Sequence, residues 1–152
     1  MSQKLEQVDS FKDDYEKFRN FYPVVIHFES INFPSVEHAY VAAKSTDIFF
    51  RKRIAELPAD QAGKAKIMGR KVFIRLDWDM VKIAYMKRFL HQKFAYDEFR
   101  SLLLSTGDML LIEGNYWHDN YWGDCYCPKC KDIKGKNNLG KLLMKVRKEI
   151  TN

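Results

Sequence analysis

The strongest constraint on folding is an amphipathic helical pattern between residues 78 and 94. Trp78, Val81, Tyr85 and Phe89 recur every three or four residues, so they fall on one face of a helix with 3.6 residues per turn. A chain that carries such a face must bury it against other elements. Its 152 residues suffice for one domain with a core of its own.

Other segments show the same periodicity and predict a chain rich in helices. The further predicted helices cover residues 35–45, 47–57, 59–68, 97–105 and 137–150, the last opening at Asn137 or Asn138. Asp77 is expected to cap the helix over 78–94 with its side chain. Gly69 and Gly107 are expected to end the helices that precede them.

Strand signals are few and short. Pro23 to Phe33 alternates like a hairpin with Glu29 and Ser30 at its turn, and Met109 to Ile112 is an apolar run typical of a buried strand. Residues 1–20 have only a weak helical spacing and no clear strand. We therefore predict a single α+β domain over residues 1–152, rich in helices, with a small sheet or hairpin.

Composition and charge exclude some classes of protein and favour an anionic binding partner. Apolar residues make up 46% of the chain, too many for a disordered protein, and no apolar run approaches the ~18 residues of a spanning helix. The first residues are too polar for a secretory signal, so a cytoplasmic location and no membrane partner are expected. A net charge of +6 suits a phosphorylated small molecule or a polyanion such as nucleic acid.

The stretch PSVEHAYVAAK, Pro34 to Lys44, places a reactive set of side chains on a predicted helix. Ser35 is the candidate N-cap. Glu37, Tyr40 and Lys44 are three, four and seven residues apart and so share one helix face. A carboxylate, a phenol and an amine then point the same way. The alternative is a solvated face with one spaced ion pair and a half-buried tyrosine.

A second unusual stretch follows the predicted strand at 109–112. The segment EGNYWHDNYWGDC has Glu113 directly after the strand, followed by Asp119 and four aromatic rings in a long loop over 114–136. Aromatic surfaces beside a carboxylate suit stacking on a base or sugar with acid–base chemistry nearby. The alternative is that these rings are core packing.

Three cysteines form a C-x-C-x-x-C pattern at Cys125, Cys127 and Cys130, with His118 seven residues before the first. Three thiolates and an imidazole can complete a tetrahedral zinc site. Only one Cys-x-x-Cys pair is present, however, and a C-x-C step is tight for two ligands of one ion. Reduced cysteines without a metal are therefore the preferred expectation, and zinc is the alternative.

Several segments together resemble the NADAR family, the YbiA-like N-glycosidases. The matching segments span residues 18 to 147 and come in the family's order. They read FRNFYP from Phe18, FPSVEHAYVAAK from Phe33, RLDWDMVK from Arg75, LLSTGDMLLIEGN from Leu103, DNYWG from Asp119 and GKNNLGKLLMKVR from Gly135.

The resemblance implies a helix-rich α+β enzyme that hydrolyses N-glycosidic bonds without a metal or redox cofactor. It implies ADP-ribose on a nucleobase, notably guanine in a nucleoside or nucleic acid, as the first substrate class. Phosphoribosylamino-pyrimidine intermediates of riboflavin synthesis are the alternative. A module that binds ADP-ribose or nucleic acid without catalysis is an alternative of another class.

The resemblance also implies roles for individual residues. It places Glu37 and Lys44 beside the anomeric carbon as catalytic candidates, and the chemistry adds Glu113 or Asp119 as the second catalytic carboxylate. The expected substrate-binding residues are Arg19, Asn20, Phe21, Tyr40, Trp78, Trp122, Gly123, Asn137 and Gly140. Glu37 is the first choice for stabilising the cation at C1′ or activating water, and Lys44 either holds a phosphate or attacks C1′ as a nucleophile.

The chain departs from the shorter family members in two places. No convincing first strand precedes FRNFYP, and the insert DCYCPKCKDIKGK lengthens the connection between DNYWG and GKNNLG. The insert borders the expected site, so it is expected to influence substrate choice.

Overall fold

A computed structural model describes residues 6–151. The chain divides into two compact units. The central unit is Asn20–Tyr96, and the terminal unit combines the chain up to Arg19 with the chain from Asp97 onward. About half of the residues are helical and strands are short and few, so the predicted helix-rich α+β class is confirmed.

The central unit begins with an antiparallel hairpin, β2 (Pro23–Phe28) and β3 (Ile31–Ser35). Its two-residue turn is Glu29 and Ser30, both with positive φ, as a tight turn between twisted strands requires. Alternate residues of β2 are buried, which places Ile26 and Phe28 in the core. The predicted hairpin and its turn are confirmed.

Two capped helices follow, α1 (Val36–Ala43) and α2 (Ile48–Glu56). The Ser35 hydroxyl accepts a hydrogen bond from the His38 backbone N–H, and the Asp47 carboxylate accepts one from Phe49. All eight residues of α1 are buried. α1 is therefore the central helix of this unit, and the predicted N-cap at Ser35 is confirmed.

Helix α3 (Ala62–Lys71) runs two residues beyond the end predicted at Gly69. A Cβ at Gly69 would lie 3.0 Å from the Val41 Cγ1 of α1. The missing side chain therefore lets α3 approach α1, and Gly69 serves packing instead of ending the helix.

Helix α4 (Trp78–Lys93) begins after Asp77, which occupies the N-cap position as predicted, but the Asp77 side chain makes no capping hydrogen bond. The Asp77 carboxylate instead accepts a forked pair of hydrogen bonds from the Arg75 guanidinium, at 2.6 and 3.0 Å. A charged bidentate partner competes successfully with a backbone N–H for that carboxylate. Trp78 and Phe89 on the predicted apolar face are buried, while Val81 and Tyr85 are partly exposed.

In the terminal unit, β1 (Gln7–Val8) pairs in parallel with β4 (Leu110–Leu111). The prediction of no strand before residue 20 is therefore wrong. Two residues are too few to show alternation, and their partner lies about a hundred positions away. A 3₁₀ helix (Asp13–Phe18) follows β1, and Phe11 and Phe18 pack edge to face at 5.5 Å.

The rest of the terminal unit contains α5 (Asp97–Ser105), the parallel pair β5 (Gly114–Asn115) and β6 (Asp124–Cys125), and α6 (Asn138–Thr151). Gly107 has φ +55° just after α5, as expected of a helix stop. β4 is shorter than the strand predicted over 109–112, and the segment 114–136 is not wholly irregular, because β5, β6 and a 3₁₀ turn (Pro128–Cys130) interrupt it.

Across residues 6–151, no helix combines the length and the apolar composition needed to cross a membrane.

Candidate active site

The predicted site residues fall into two groups, one in each unit. The central unit holds Asn20, Phe21, Glu37, Tyr40, Lys44 and Trp78. The terminal unit holds Arg19, Glu113, Asp119, Trp122, Gly123, Asn137 and Gly140, together with His118 and the three cysteines.

Glu37 lies in the first turn of α1 and is 8% exposed. Its backbone N–H donates to the Asn20 carbonyl oxygen at 3.0 Å, which ties the helix start to the FRNFYP segment. A carboxylate in the first turn lies near the positive end of the helix dipole, which stabilises its charge. The predicted catalytic acid is therefore buried and held on a rigid element.

Lys44 follows the last residue of α1 and is half-buried. Its backbone carbonyl accepts a hydrogen bond from Arg75 at 2.8 Å, so the end of α1 is joined to the segment before α4. Its Nζ lies 5.4 Å from the centre of the Tyr40 ring. The amine, the phenol and Glu37 thus lie along one face of α1, as the spacing predicts.

Burial lowers the pKa of the Lys44 amine, because a charged ammonium loses solvation there. The negative charge of Glu37 opposes this shift. Repulsion by the positive charges of Lys66, Arg70 and Lys82 adds to it. These effects increase the neutral fraction of the amine at a given pH, and a neutral amine is the nucleophilic form.

Aromatic rings line the same region of the central unit. The Trp78 ring lies 5.1 Å from that of Tyr40 and stacks with that of Tyr85 at 6.4 Å. Lys66 lies over the ring of Phe21 at 5.9 Å. Rings beside cationic groups suit a ligand that has both a flat base and a phosphate.

Asn20 has a second role beyond its backbone contact with Glu37. Its Nδ2 lies 3.7 Å from the Met86 sulfur, while its Oδ1 is buried and has no hydrogen-bond partner within residues 6–151. A buried amide oxygen without a donor is costly, and a ligand O–H or N–H would satisfy it. This supports the predicted binding role of Asn20.

In the terminal unit, Glu113 follows β4 and is 9% exposed. Its backbone N–H donates to Asn137 Oδ1 at 2.9 Å, and the Asn137 Nδ2 donates to the Leu111 carbonyl at 2.9 Å. Asn137 therefore acts as a clamp on the end of β4. Its positive φ of 51° suits asparagine, which tolerates this region better than most residues.

The Asp119 carboxylate is used to hold its own loop. Its Oδ1 accepts hydrogen bonds from the backbone N–H groups of Tyr121 and Trp122, at 3.1 and 2.8 Å. Asn115 adds a bond from its Nδ2 to the Asp119 carbonyl at 2.8 Å. This pattern favours a positioning role for Asp119 more than the predicted acid–base role.

Gly123 and Gly140 are positions of close backbone approach. A Cβ at Gly123 would lie 2.1 Å from the Glu113 carbonyl oxygen, and one at Gly140 would lie 2.0 Å from that of Leu111. Both distances are impossible for a side chain. The two glycines therefore let the loop and α6 close around the segment that carries Glu113.

The cysteine residues are brought together with the predicted histidine. Cys125, Cys127 and Cys130 are buried and free of disulfides, and their sulfur atoms gather around His118 Nδ1.

Sequence reasoning missed several participants. Lys66, Arg70 and Lys82 act on Lys44 by charge, and Arg75 joins α1 to the start of α4. For Lys82 a signal was available, because it stands four residues after Trp78 and so on the same helix side. Nothing local marks Lys66 and Arg70, which come from a different helix.

Comparisons with known proteins identify relatives along nearly the whole chain. The NADAR domain model matches residues 7–151. The N-glycosidase Npun_R5314 of Nostoc punctiforme is 38% identical, over 91% of this chain and 87% of that protein. The N-glycosidase YbiA of Escherichia coli is 34% identical, over 93% of this chain and 85% of that protein.

The NMR structure of E. coli YbiA is also similar, with a TM-score of 0.81 that covers 99% of this chain and 87% of that one. A third relative is the chloroplastic riboflavin biosynthesis protein PYRR of Zea mays. It is 33% identical over 91% of this chain, which matches only 24% of that longer protein.

Proposed function

The chain belongs to the NADAR family, and from this membership and the Glu37–Lys44 face of α1 we propose that it hydrolyses the C1′–N bond of an ADP-ribosylated nucleobase. The observation that carries the proposal is a buried carboxylate and a half-buried amine on one helix, with the pKa of the amine lowered by burial. Relatives named N-glycosidases support the reaction class.

The charges of the central unit support a phosphorylated substrate. Lys44 is accompanied by three further cations close enough to affect its pKa, namely Lys66, Arg70 and Lys82. Glu37 is the negative charge that acts on Lys44, and Asp79 forms an ion pair with Lys82 at 3.0 Å. This excess of positive charge suits a diphosphate, and the Tyr40 and Trp78 rings suit a base or ribose. ADP-ribose contains both parts.

Glu37 is the proposed group at the reacting carbon. Cleavage of a C1′–N bond builds positive charge on C1′ and its ring oxygen, and a nearby carboxylate stabilises that charge or removes a proton from the attacking nucleophile. The base leaves with a proton on its nitrogen. Over the whole reaction, water supplies the oxygen that ends on C1′ and the proton that ends on the base.

Lys44 is proposed as the nucleophile that precedes water. Its neutral Nζ attacks C1′ as the C1′–N bond to the base breaks, and opening of the sugar ring gives a Schiff base between Lys44 and C1′. Water then hydrolyses the Schiff base and returns the amine. The lowered pKa supports this role, because it makes the neutral amine easier to form.

A second substrate class is favoured by the relative named for riboflavin biosynthesis. A phosphoribosylamino-pyrimidine presents the same kind of C1′–N bond, one phosphate and a flat base. The same residues would act on it in the same roles. The two classes differ in the number of phosphates and in the size of the group beyond the ribose.

A product assay on two substrates tests the function. Wild type and Glu37→Gln are incubated with an ADP-ribosylated guanine nucleoside or DNA, and separately with a ribosylamino-pyrimidine phosphate, and products are identified by mass spectrometry. We expect release of ADP-ribose by wild type and a loss of about 10²–10⁴-fold in Glu37→Gln. An exposed-site control, Glu29→Gln, should keep the wild-type rate.

Each outcome of the assay has one meaning. Cleavage of the pyrimidine substrate alone would replace the first substrate class by the second. Binding of ADP-ribose without cleavage of either substrate would replace the glycosidase by a binding module. In that case binding should also weaken steeply with salt.

A further inference from the structure

In the terminal unit, the cysteines of the insert and a histidine of the loop before it bring four metal-ligating side chains together. His118 Nδ1 lies 3.2 Å from the sulfur of Cys127, 3.5 Å from that of Cys130 and 4.0 Å from that of Cys125. All four ligand atoms lie within 4.8 Å of one another. Ligands at zinc–nitrogen and zinc–sulfur bond lengths on a tetrahedron are about 3.5–3.8 Å apart. The four side chains therefore already have nearly the spacing that one zinc ion imposes.

The backbone explains how so short a segment supplies three sulfurs. Cys125 ends strand β6, and alternate residues of an extended chain share a side, so Cys125 and Cys127 face one way while Tyr126 between them is exposed. The chain then turns as a 3₁₀ helix over Pro128–Cys130, with the Cys130 N–H donating to the Cys127 carbonyl at 3.0 Å. The C-x-C step is thus compatible with two ligands of one ion.

The surroundings are also those of a metal centre. His118 has φ +68°, a region that non-glycine residues seldom adopt, and this conformation directs its imidazole at the sulfurs. Its backbone N–H donates to the Cys125 sulfur at 3.3 Å, and the Asn120 side-chain amide donates to the Cys130 sulfur at 3.4 Å. Donors aimed at sulfur stabilise thiolates and orient them for a metal.

We propose that His118, Cys125, Cys127 and Cys130 bind one structural zinc ion. Sulfur and imidazole ligands select zinc over the hard cations calcium and magnesium. Four protein ligands close a tetrahedral site and leave no position for a substrate or a reactive water, so the ion has a structural role. This inference does not depend on the proposed glycosidase activity.

The ion would fix the loop that contains Asp119, Trp122 and Gly123. Asn120, which touches the Cys130 sulfur, also accepts the Cys125 N–H on its side chain at 2.9 Å and the Lys136 N–H on its carbonyl at 2.9 Å. The metal centre and the loop are therefore connected through one residue.

The first test is metal content. The full chain, purified under reducing conditions, is analysed by elemental and native mass spectrometry. About one zinc per chain is expected, released by a strong chelator with a fall in melting temperature that added zinc reverses. Substitution of zinc by Co²⁺ should give the intense visible bands of tetrahedral thiolate coordination.

Matched variants locate the site. Cys127→Ser and His118→Asn should each lose most of the bound zinc, and asparagine tolerates the left-handed backbone at 118. Lys129→Ser changes an exposed residue of the same turn and should keep about one zinc per chain. If a cysteine variant fails to fold, the metal content and the zinc-dependent melting temperature of the wild-type chain still test the proposal.

Two results would overturn the proposal. One is wild-type protein that stays without zinc and keeps its melting temperature after reconstitution with zinc under reducing conditions. The other is a Cys127–Cys130 disulfide that forms readily and stabilises the metal-free chain, which would make the cluster a redox pair.

Discussion

Helix α1 and the loop over residues 113–137 use their polar side chains in opposite ways. Along α1, Glu37 is buried and Lys44 is half-buried, and their backbone groups bond to Asn20 and Arg75. In the loop, Asp119 and Asn137 bind backbone groups, and so they hold the chain in place. Replacement of Glu37 or Lys44 is therefore expected to reduce activity, whereas replacement of Asp119 or Asn137 is expected to reduce stability.

The largest effect is expected at Lys44. Lys44→Arg keeps the charge but removes the nucleophile, so kcat should fall about 10³-fold, or about 4 kcal/mol, while the free energy of unfolding changes little. Borohydride added during turnover should link the sugar to Lys44 in wild type alone. The exposed control Lys71→Arg should behave as wild type. Near-normal turnover by Lys44→Arg would make Lys44 a phosphate ligand.

The pH profile sharpens this prediction. The neutral amine of Lys44 becomes available as the pH rises, so kcat/KM should rise with pH. Because the pKa of Lys44 is lowered, the apparent pKa of this rise should lie below the ordinary lysine value of 10.5. Arg70→Gln removes a positive charge that repels the Lys44 ammonium. It should therefore raise the pKa of Lys44 and move the rise in kcat/KM to higher pH. If the rise in kcat/KM stays at the same pH in Arg70→Gln, it reports the titration of a group other than Lys44.

The next largest effect is expected at Gly140, in unfolding free energy. Gly140→Ala places a Cβ against the Leu111 carbonyl and the Asn137 amide, and should destabilise the chain by about 3 kcal/mol in urea unfolding. Gly63→Ala is the matched control, because it is also helical but has no neighbour nearer than 3.9 Å. It should be neutral or stabilise by up to about 1 kcal/mol. Equal effects would refute the close approach of α6.

Asp119 tests the comparison more finely. Asp119→Ala removes the acceptor of two backbone N–H groups and should cost about 1–2 kcal/mol of stability. Asp119→Asn keeps an acceptor oxygen, so both stability and turnover should stay near wild type. A loss of 100-fold or more in turnover by the folded Asn variant would restore Asp119 as a catalytic acid.

The smallest effect is expected at His38, a fully buried residue of α1. Burial lowers the pKa of its imidazole, whose Nδ1 lies 2.6 Å from the Ser35 hydroxyl. The unfolded chain therefore binds more protons than the folded one as the pH falls through 6.5, so the free energy of unfolding should decrease as the pH is lowered in this range.

Thermal unfolding across pH measures the His38 effect. The slope should flatten in His38→Gln and persist in His27→Gln, which changes an exposed histidine. A slope that persists in His38→Gln would assign the pH dependence to other groups.

The sequence alone determined what depends on neighbours along the chain. The 3.6 period and the Ser35 cap predicted α1, and the turn pair Glu29–Ser30 predicted the hairpin, because helices and tight turns form from local hydrogen bonds. The motif order also identified the family. The shared face of Glu37, Tyr40 and Lys44 followed from helix geometry.

Only the tertiary structure decided what depends on residues far apart in sequence. The pairing of Gln7 with Leu110 leaves no local pattern, and the pKa of Lys44 depends on cations from other helices. The sequence marked Asp77 as a helix cap, but in the structure its carboxylate binds the Arg75 guanidinium. The gathering of three sulfurs around His118 likewise required a left-handed residue and a turn that spacing does not specify. Such features depend on which groups the fold brings within a few ångströms, and local propensity does not encode that distance.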